Sequence, residues 1–148
     1  MKQTLRIFLE ILFPMREDAR IVARTDHADI QKLYTQNITG EIVWLLPFSN
    51  AVVRASIHEI KFHENQKAAE LLGAIIDRYV YAREQDTIII PIPLSKERKK
   101  KRGHNQIVSI LSYAKNAHIE KNMLHKKIDT APQTTLTRKE RLKNVVGA

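Results

Sequence analysis

The chain has 148 residues, of which 43% are hydrophobic, so it has enough material for one domain with a core and is not a disordered polymer. It contains no cysteine, which excludes disulfides, thiolate zinc sites and thiol nucleophiles. Its formal net charge of +9 at pH 7 favours polyanions as partners, although such a charge can also serve solubility alone.

Residues 1–46 are predicted to form an N-terminal appendage of helical and irregular structure. A short amphipathic helix is expected over Thr4–Phe13, and charged residues within it argue against a signal peptide. Arg20–Arg24 and Glu41–Leu46 could each form a short strand, with Trp44 in the core. No segment approaches the roughly 20 apolar residues of a membrane span, and we expect a cytoplasmic protein that makes no membrane contact.

Residues 47–148 are predicted to form an α/β domain. Ser49 or Asn50 can cap a first helix, whose apolar face comprises Val52, Val53, Ile57 and Ile60. The next helix has the clearest pattern, with core positions Ala68, Ala69, Leu71, Leu72, Ile75, Ile76, Tyr79 and Val80. Thr87–Ile92 has no polar face, which is typical of a buried parallel strand. Asn105–Ala117 is predicted as a further helix, with Ile107, Val108, Leu111 and Ala114 buried. This order indicates a parallel sheet flanked by helices.

The first of these helices contains a sequence pattern that resembles a metal-binding motif. His58 and Glu59, followed by His63, resemble a zinc-protease helix, but that chemistry needs histidines four residues apart on one face. Here they are five residues apart, which is roughly 140° around a helix. We therefore expect ordinary polar residues at a helix end and no metal site.

The most informative segment is residues 88–106, where the apolar run opens onto a basic loop closed by Gly103. Its cations are Lys96, Arg98, Lys99, Lys100, Lys101 and Arg102. Ligands of open α/β sheets bind beyond the carboxyl ends of the strands, so the loop predicts a site for phosphate or pyrophosphate. A solvated loop is the alternative. A second basic segment, Gln133–Asn144, supports the anion site, although alone it would be an exposed helix face.

These motifs together resemble the ComF family of phosphoribosyltransferase-like proteins. The first motif is similar to the family's P-V-P-L, R and R-G-F-N-Q, and comprises Pro91-Ile92-Pro93-Leu94, Arg98 and Arg102-Gly103-His104-Asn105-Gln106. A downstream motif comprises Pro132-Gln133, Leu136, Arg141, Asn144-Val145 and Gly147-Ala148. Upstream, Ile60-Lys61-Phe62 is similar to the family's l-K-[YF] stretch. The resemblance runs from about Phe48 to the last residue.

The resemblance implies a partial type I phosphoribosyltransferase fold. Leu94–Gly103 would bind pyrophosphate, and Gln133–Asn144 would be the flexible loop that closes over phosphoribosyl pyrophosphate with its Mg²⁺. The implied ligand residues of the first segment are Ser95, Arg98, Lys99, Arg102, Gly103, Asn105 and Gln106. Those of the flexible loop are Gln133, Arg138, Arg141 and Asn144.

The chain departs from the family pattern in two ways. It lacks the cysteines of the family's N-terminal zinc ribbon, so no zinc is expected there. It also stops at Gly147-Ala148, before the D-D-x-x-T-T-G motif that holds ribose and 5-phosphate. We therefore expect a truncated product or half of a site that a second chain completes, with an exposed sheet edge that favours self-association. The alternative function is non-catalytic binding of single-stranded DNA, connected with DNA uptake.

Overall fold

The computed structural model describes residues 14–83, 87–128, 130–131, 133–144 and 146. The elements in this part are α1 Glu17–Arg24, α2 His27–Lys32, β1 Asn37–Thr39, β2 Ile42–Trp44, α3 Ala51–His63, α4 Gln66–Tyr81, β3 Ile88–Ile89, α5 Lys96–Arg102, α6 Gln106–Leu111, β4 His118–Ile119, a 3-10 turn Gln133–Thr135 and α7 Arg138–Asn144. The helix predicted over Thr4–Phe13 lies outside the described residues. None of the described helices has the length and apolar character needed to span a membrane.

Helices α3 and α4 form the centre of the core, as their periodicity predicts. The Asn50 side chain caps α3 by accepting a hydrogen bond from the Val52 amide at 2.8 Å. Glu64 ends α3 in the left-handed conformation, and Asn65 then caps α4 through the Ala68 amide. The predicted apolar faces are buried at Val53, Ile60, Ala68, Ala69, Leu71, Leu72, Ile75 and Val80. Ile57, by contrast, is 38% exposed.

Helices α1 and α2 pack against α3 and α4. Val22 and Ile30 are 1% and 0% exposed and belong to the same core cluster as Ile60 and Ile75. The strand predicted at Arg20–Arg24 is therefore wrong, because its three apolar residues lie on a helix that packs on α3. The division at residues 46 and 47 stays a prediction.

Strands β1 and β2 form a small antiparallel hairpin. The strand predicted within Glu41–Leu46 is confirmed at Ile42–Trp44. The core position predicted for Trp44 is wrong, since this side chain is 56% exposed. A two-stranded ribbon has no second layer over its outer face, and five of its six strand residues are exposed.

Strands β3 and β4 are parallel, and this pair places the described chain in the mixed α/β class. The strand predicted over Thr87–Ile92 is much shorter than expected and is not buried on both faces. Ile88 is 46% exposed and Ile92 is 74% exposed, because β4 is the one strand that pairs with β3 in the described part. The helix predicted over Asn105–Ala117 is also shorter and ends at Leu111. Leu111 and Ala114 are buried as expected, whereas Ile107 and Val108 are partly exposed.

Candidate anion-binding site

The basic segment is a short helix and not the predicted loop. The Ser95 hydroxyl, in a residue only 4% exposed, accepts a hydrogen bond from the Arg98 amide at 3.3 Å and caps α5. Glu97 lies in the first turn and four cations lie in the last turn, which complements the helix dipole. Gly103 ends the helix with a φ of 80°, which a residue with a Cβ adopts only under strain. Helix propensity and capping therefore outweigh the repulsion among the lysines.

His104 attaches the carboxyl end of α5 to the end of α3. Its Nε2 lies 2.8 Å from the Ile60 carbonyl oxygen, and its Nδ1 lies 3.0 Å from the Arg102 carbonyl oxygen and 2.5 Å from Glu64 Oε1. Both ring nitrogens face acceptor oxygens, so the ring joins the backbone at the end of α5 to the backbone of α3. His104 was included in the sequence motif, but nothing in the sequence indicated this structural role.

Arg98 and Asn144, one from each predicted segment, meet at Ala131. Arg98 Nη2 donates to the carbonyl oxygens of Thr130 and Ala131, each at 3.2 Å. Asn144 Oδ1 accepts from the Ala131 amide at 3.2 Å, and Asn144 Nδ2 donates to the Ala131 carbonyl at 2.9 Å. The structure thus brings α5 and the end of α7 to one short stretch of backbone.

Several other predicted ligand residues have local structural partners. Asn105 caps α6 through the Ile107 amide at 3.0 Å, and its Nδ2 donates to the Ile92 carbonyl at 3.4 Å. Arg102 Nη1 donates to Gln106 Oε1 at 3.2 Å, so these two predicted residues contact each other directly.

The remaining residues of the predicted flexible loop do not converge on α5 through any contact between described side chains. Gln133 begins the 3-10 turn, and Arg141 Nε donates to the Leu136 carbonyl at 3.0 Å. Arg138 is exposed at the start of α7. Lys99, Lys100 and Lys101 are exposed on α5, and no hydrogen bond or ion pair joins them to another described side chain. Within the described residues, these three ammonium groups therefore have no competing anionic partner.

Three of the surface clefts on the described chain lie elsewhere. One, of about 720 Å³, is lined mainly by polar and aromatic residues, including Glu70, Asp77 and Arg78. A second, of about 340 Å³, is mostly apolar and includes Gln106, and a third, of about 230 Å³, includes His104. None of these three clefts is lined by a residue of α5.

The structure also brings together His58, Glu59 and His63, the residues from which the sequence predicted no metal site. One ligand atom each from His58, Glu59 and His63 can be chosen so that all lie within 4.8 Å of one another. The spacing of these residues along the helix therefore does not exclude a shared metal ion. Their side chains converge although their Cα positions lie at different angles around the helix axis.

Glu59 is a buried carboxylate in this cluster, with an exposed fraction of 1%. Burial acts to raise the pKa of Glu59, but hydrogen bonds from Arg16 and Asn65 outweigh it and hold the pKa below its ordinary value. Arg16 Nε and Nη2 lie 3.2 Å and 3.1 Å from the two carboxylate oxygens. This ion pair connects the residue preceding α1 to α3.

Comparisons with family models, curated proteins and solved structures give no match for this chain. The resemblance to the ComF family therefore rests on the motifs of the sequence itself.

Proposed function

We propose that this chain binds pyrophosphate, alone or within phosphoribosyl pyrophosphate, as a ComF-like partial phosphoribosyltransferase domain. The meeting of Arg98 and Asn144 at Ala131 is the observation that carries the proposal. If the resemblance to the ComF family holds, Arg98 belongs to the pyrophosphate segment and Asn144 belongs to the flexible loop. These two segments must lie together around one ligand. Their common attachment to one backbone stretch supports that arrangement.

The charge on α5 gives the proposal its chemistry. The exposed cations of α5 are Lys99, Lys100 and Lys101. They lie beside Arg98 and Arg102, whose guanidinium groups are held in place by hydrogen bonds. Ammonium and guanidinium donors form short, charge-assisted hydrogen bonds with phosphate oxygens. The proposal is limited to binding, because the sequence contains no D-D-x-x-T-T-G motif for ribose and 5-phosphate. Mg²⁺ would enter with phosphoribosyl pyrophosphate once another chain completes the site.

Thermal unfolding with and without pyrophosphate tests the proposal. Pyrophosphate is expected to raise the Tm, since a ligand at about 100 times its Kd stabilises the folded state by about 2.7 kcal/mol. The double variant Lys99→Ala/Lys100→Ala is expected to lose most of this shift. Phosphoribosyl pyrophosphate with Mg²⁺, titrated in parallel, is expected to give a shift of the same sign.

The matched control removes two exposed lysines far along the sequence from α5. Lys121→Ala/Lys127→Ala lowers the net charge by the same amount and is expected to keep the shift. An equal loss in both double variants would mean that general charge, and not α5, attracts the ligand. No shift in the wild-type chain at millimolar pyrophosphate would contradict the proposal.

A second candidate function, binding of single-stranded DNA, is favoured by the three consecutive exposed lysines of α5, Lys99–Lys101. An extended polyanion can contact exposed cations along its phosphates, whereas a small ligand is usually enclosed in a cleft. In this case the affinity for a labelled oligonucleotide falls steeply with salt, with a slope of about −0.7 per neutralised phosphate. Tight salt-dependent DNA binding without a pyrophosphate shift would replace the first proposal by this one.

A further inference from the structure

His58, Glu59 and His63 at the carboxyl half of α3 form a cluster that the anion site does not use. Their ligand atoms lie within 4.8 Å of one another, and His63 Nε2 lies 4.0 Å from Glu59 Oε1. The two histidine side chains are 49% and 32% exposed, so a metal ion can reach them from solvent. The Glu59 carboxylate, by contrast, is buried and fixed.

We infer that this cluster is a zinc site with two imidazole ligands, one carboxylate ligand and an open fourth position. Two histidines and one glutamate are a common ligand set for Zn²⁺ sites that keep a bound water. With bonds of about 2.1 Å, tetrahedral ligands stand about 3.4 Å apart, so the three ligand atoms, which lie within 4.8 Å of one another, must approach each other when zinc binds. This inference revises the expectation from sequence that no metal binds here.

The surrounding side chains supply the support that zinc ligands need. Asp18 Oδ2 lies 2.8 Å from His58 Nδ1, so Nε2 is the nitrogen of that ring that zinc would bind. A carboxylate bonded to the far nitrogen of a ligating histidine fixes the orientation of the ring and raises its basicity. Glu59 is oriented in the same way by Arg16 and by Asn65, whose Nδ2 donates to Oε2 at 3.0 Å.

The hydrogen bonds to Glu59 leave one of its oxygens open to a metal. Oε2 accepts from both Arg16 and Asn65, whereas Oε1 accepts only the Arg16 Nε hydrogen bond among the described residues. A carboxylate oxygen has two lone pairs, so Oε1 retains one for zinc. The local charges also permit a divalent cation, because Asp18 and Glu59 outnumber Arg16 in this cluster.

Zinc titration by isothermal calorimetry, on the tag-free chain, tests the inference. We expect one Zn²⁺ per chain at micromolar affinity, and His58→Gln or His63→Gln is expected to weaken binding at least about tenfold. Asp18→Asn is expected to weaken it about tenfold through the orientation of His58. Substituted Co²⁺ is expected to give the intense visible absorption of a tetrahedral site.

Controls separate this cluster from the ordinary affinity of surface histidines for zinc. His118→Gln removes an exposed histidine that also pairs with a glutamate, Glu120, and is expected to leave zinc binding unchanged. Circular dichroism of each variant verifies that the helices persist. The inference is overturned if the wild-type chain shows no saturable binding, or if the variants at positions 58 and 63 bind zinc as tightly as His118→Gln.

Discussion

At the scale of single residues, the described part of the core contains one polar side-chain group without a hydrogen-bond partner. Ser56 on α3 is 0% exposed, and its Oγ has no hydrogen-bond partner among the described residues. A buried donor that makes no hydrogen bond costs about 1–3 kcal/mol relative to its hydration in the unfolded chain.

We predict that Ser56→Ala raises the free energy of unfolding by about 1 kcal/mol, since alanine removes the unpaired hydroxyl and fits the same space. Chemical denaturation followed by circular dichroism measures this change. Ser109→Ala is the comparison, because its hydroxyl donates to the Asn105 carbonyl at 3.3 Å and its loss is expected to be neutral or slightly destabilising. A destabilised Ser56→Ala would show that the hydroxyl is paired in solution.

The residues of the candidate site were only partly predictable from sequence. Arg98 and Asn144 were predicted from separate motifs, and the structure brings them to one place. Ser95 and Asn105 were predicted as ligands, but their side chains cap helices, and Ser and Asn are frequent in both roles. The convergence of His58, Glu59 and His63 was missed, because spacing along a helix describes the directions of Cα–Cβ bonds and not the reach of long side chains.

At the scale of elements, long periodic helices were predicted well and short elements poorly. Helices α3 and α4 repeat their apolar residues over several turns, so burial and propensity agree along each of them. The eight residues of α1 are too few to distinguish a helix from a strand, and packing against α3 decides the outcome. In α5 the dense positive charge suggested a loop, although lysine, arginine and glutamate are all good helix formers.

The contact between α4 and α6 depends on Gly73. A Cβ at this position would lie 2.5 Å from Tyr113 Cβ and 2.6 Å from the Ile110 carbonyl oxygen. Replacing glycine by alanine within a helix usually stabilises by about 0.5–1 kcal/mol, because alanine loses less backbone entropy on folding. Here the steric overlap reverses the sign.

We predict that Gly73→Ala lowers the free energy of unfolding by about 1–3 kcal/mol, because α6 must move away from α4. Urea denaturation measures the change. Ala74→Gly, at the next position, calibrates the propensity effect alone and is expected to cost about 1 kcal/mol. A Gly73→Ala variant more stable than the wild-type chain would contradict the close approach of these helices.

At the scale of the whole molecule, α1 and α2 share one core with α3 and α4. Ile30 is fully buried in this core, although it belongs to the segment predicted as an appendage. The single tryptophan, Trp44, lies in the hairpin of that same segment, whereas α3 and α4, which lie outside it, are the two longest described helices. Two spectroscopic probes can therefore follow the two parts of the chain separately.

We predict that tryptophan fluorescence and far-ultraviolet circular dichroism report coincident unfolding transitions, because a shared core unfolds cooperatively. Ile30→Ala is expected to lower the free energy of unfolding by about 2–5 kcal/mol in both signals. Ile38→Ala, at a residue that is 62% exposed, is expected to change it by less than about 0.5 kcal/mol. Separate transitions would establish residues 1–46 as an independent unit.

The attachment of α5 through His104 affects the thermodynamics of any association at this helix. Because the ring joins the Arg102 carbonyl to the Ile60 carbonyl, the carboxyl end of α5 is held against a core helix before a ligand arrives. Its backbone is then preorganised, and association orders chiefly the lysine side chains, at about 0.5–1.5 kcal/mol each. The entropy cost of binding therefore comes mainly from ordering the lysine side chains of α5. The loop that carries Gly103 and His104 adds little to this cost because it is already held in place.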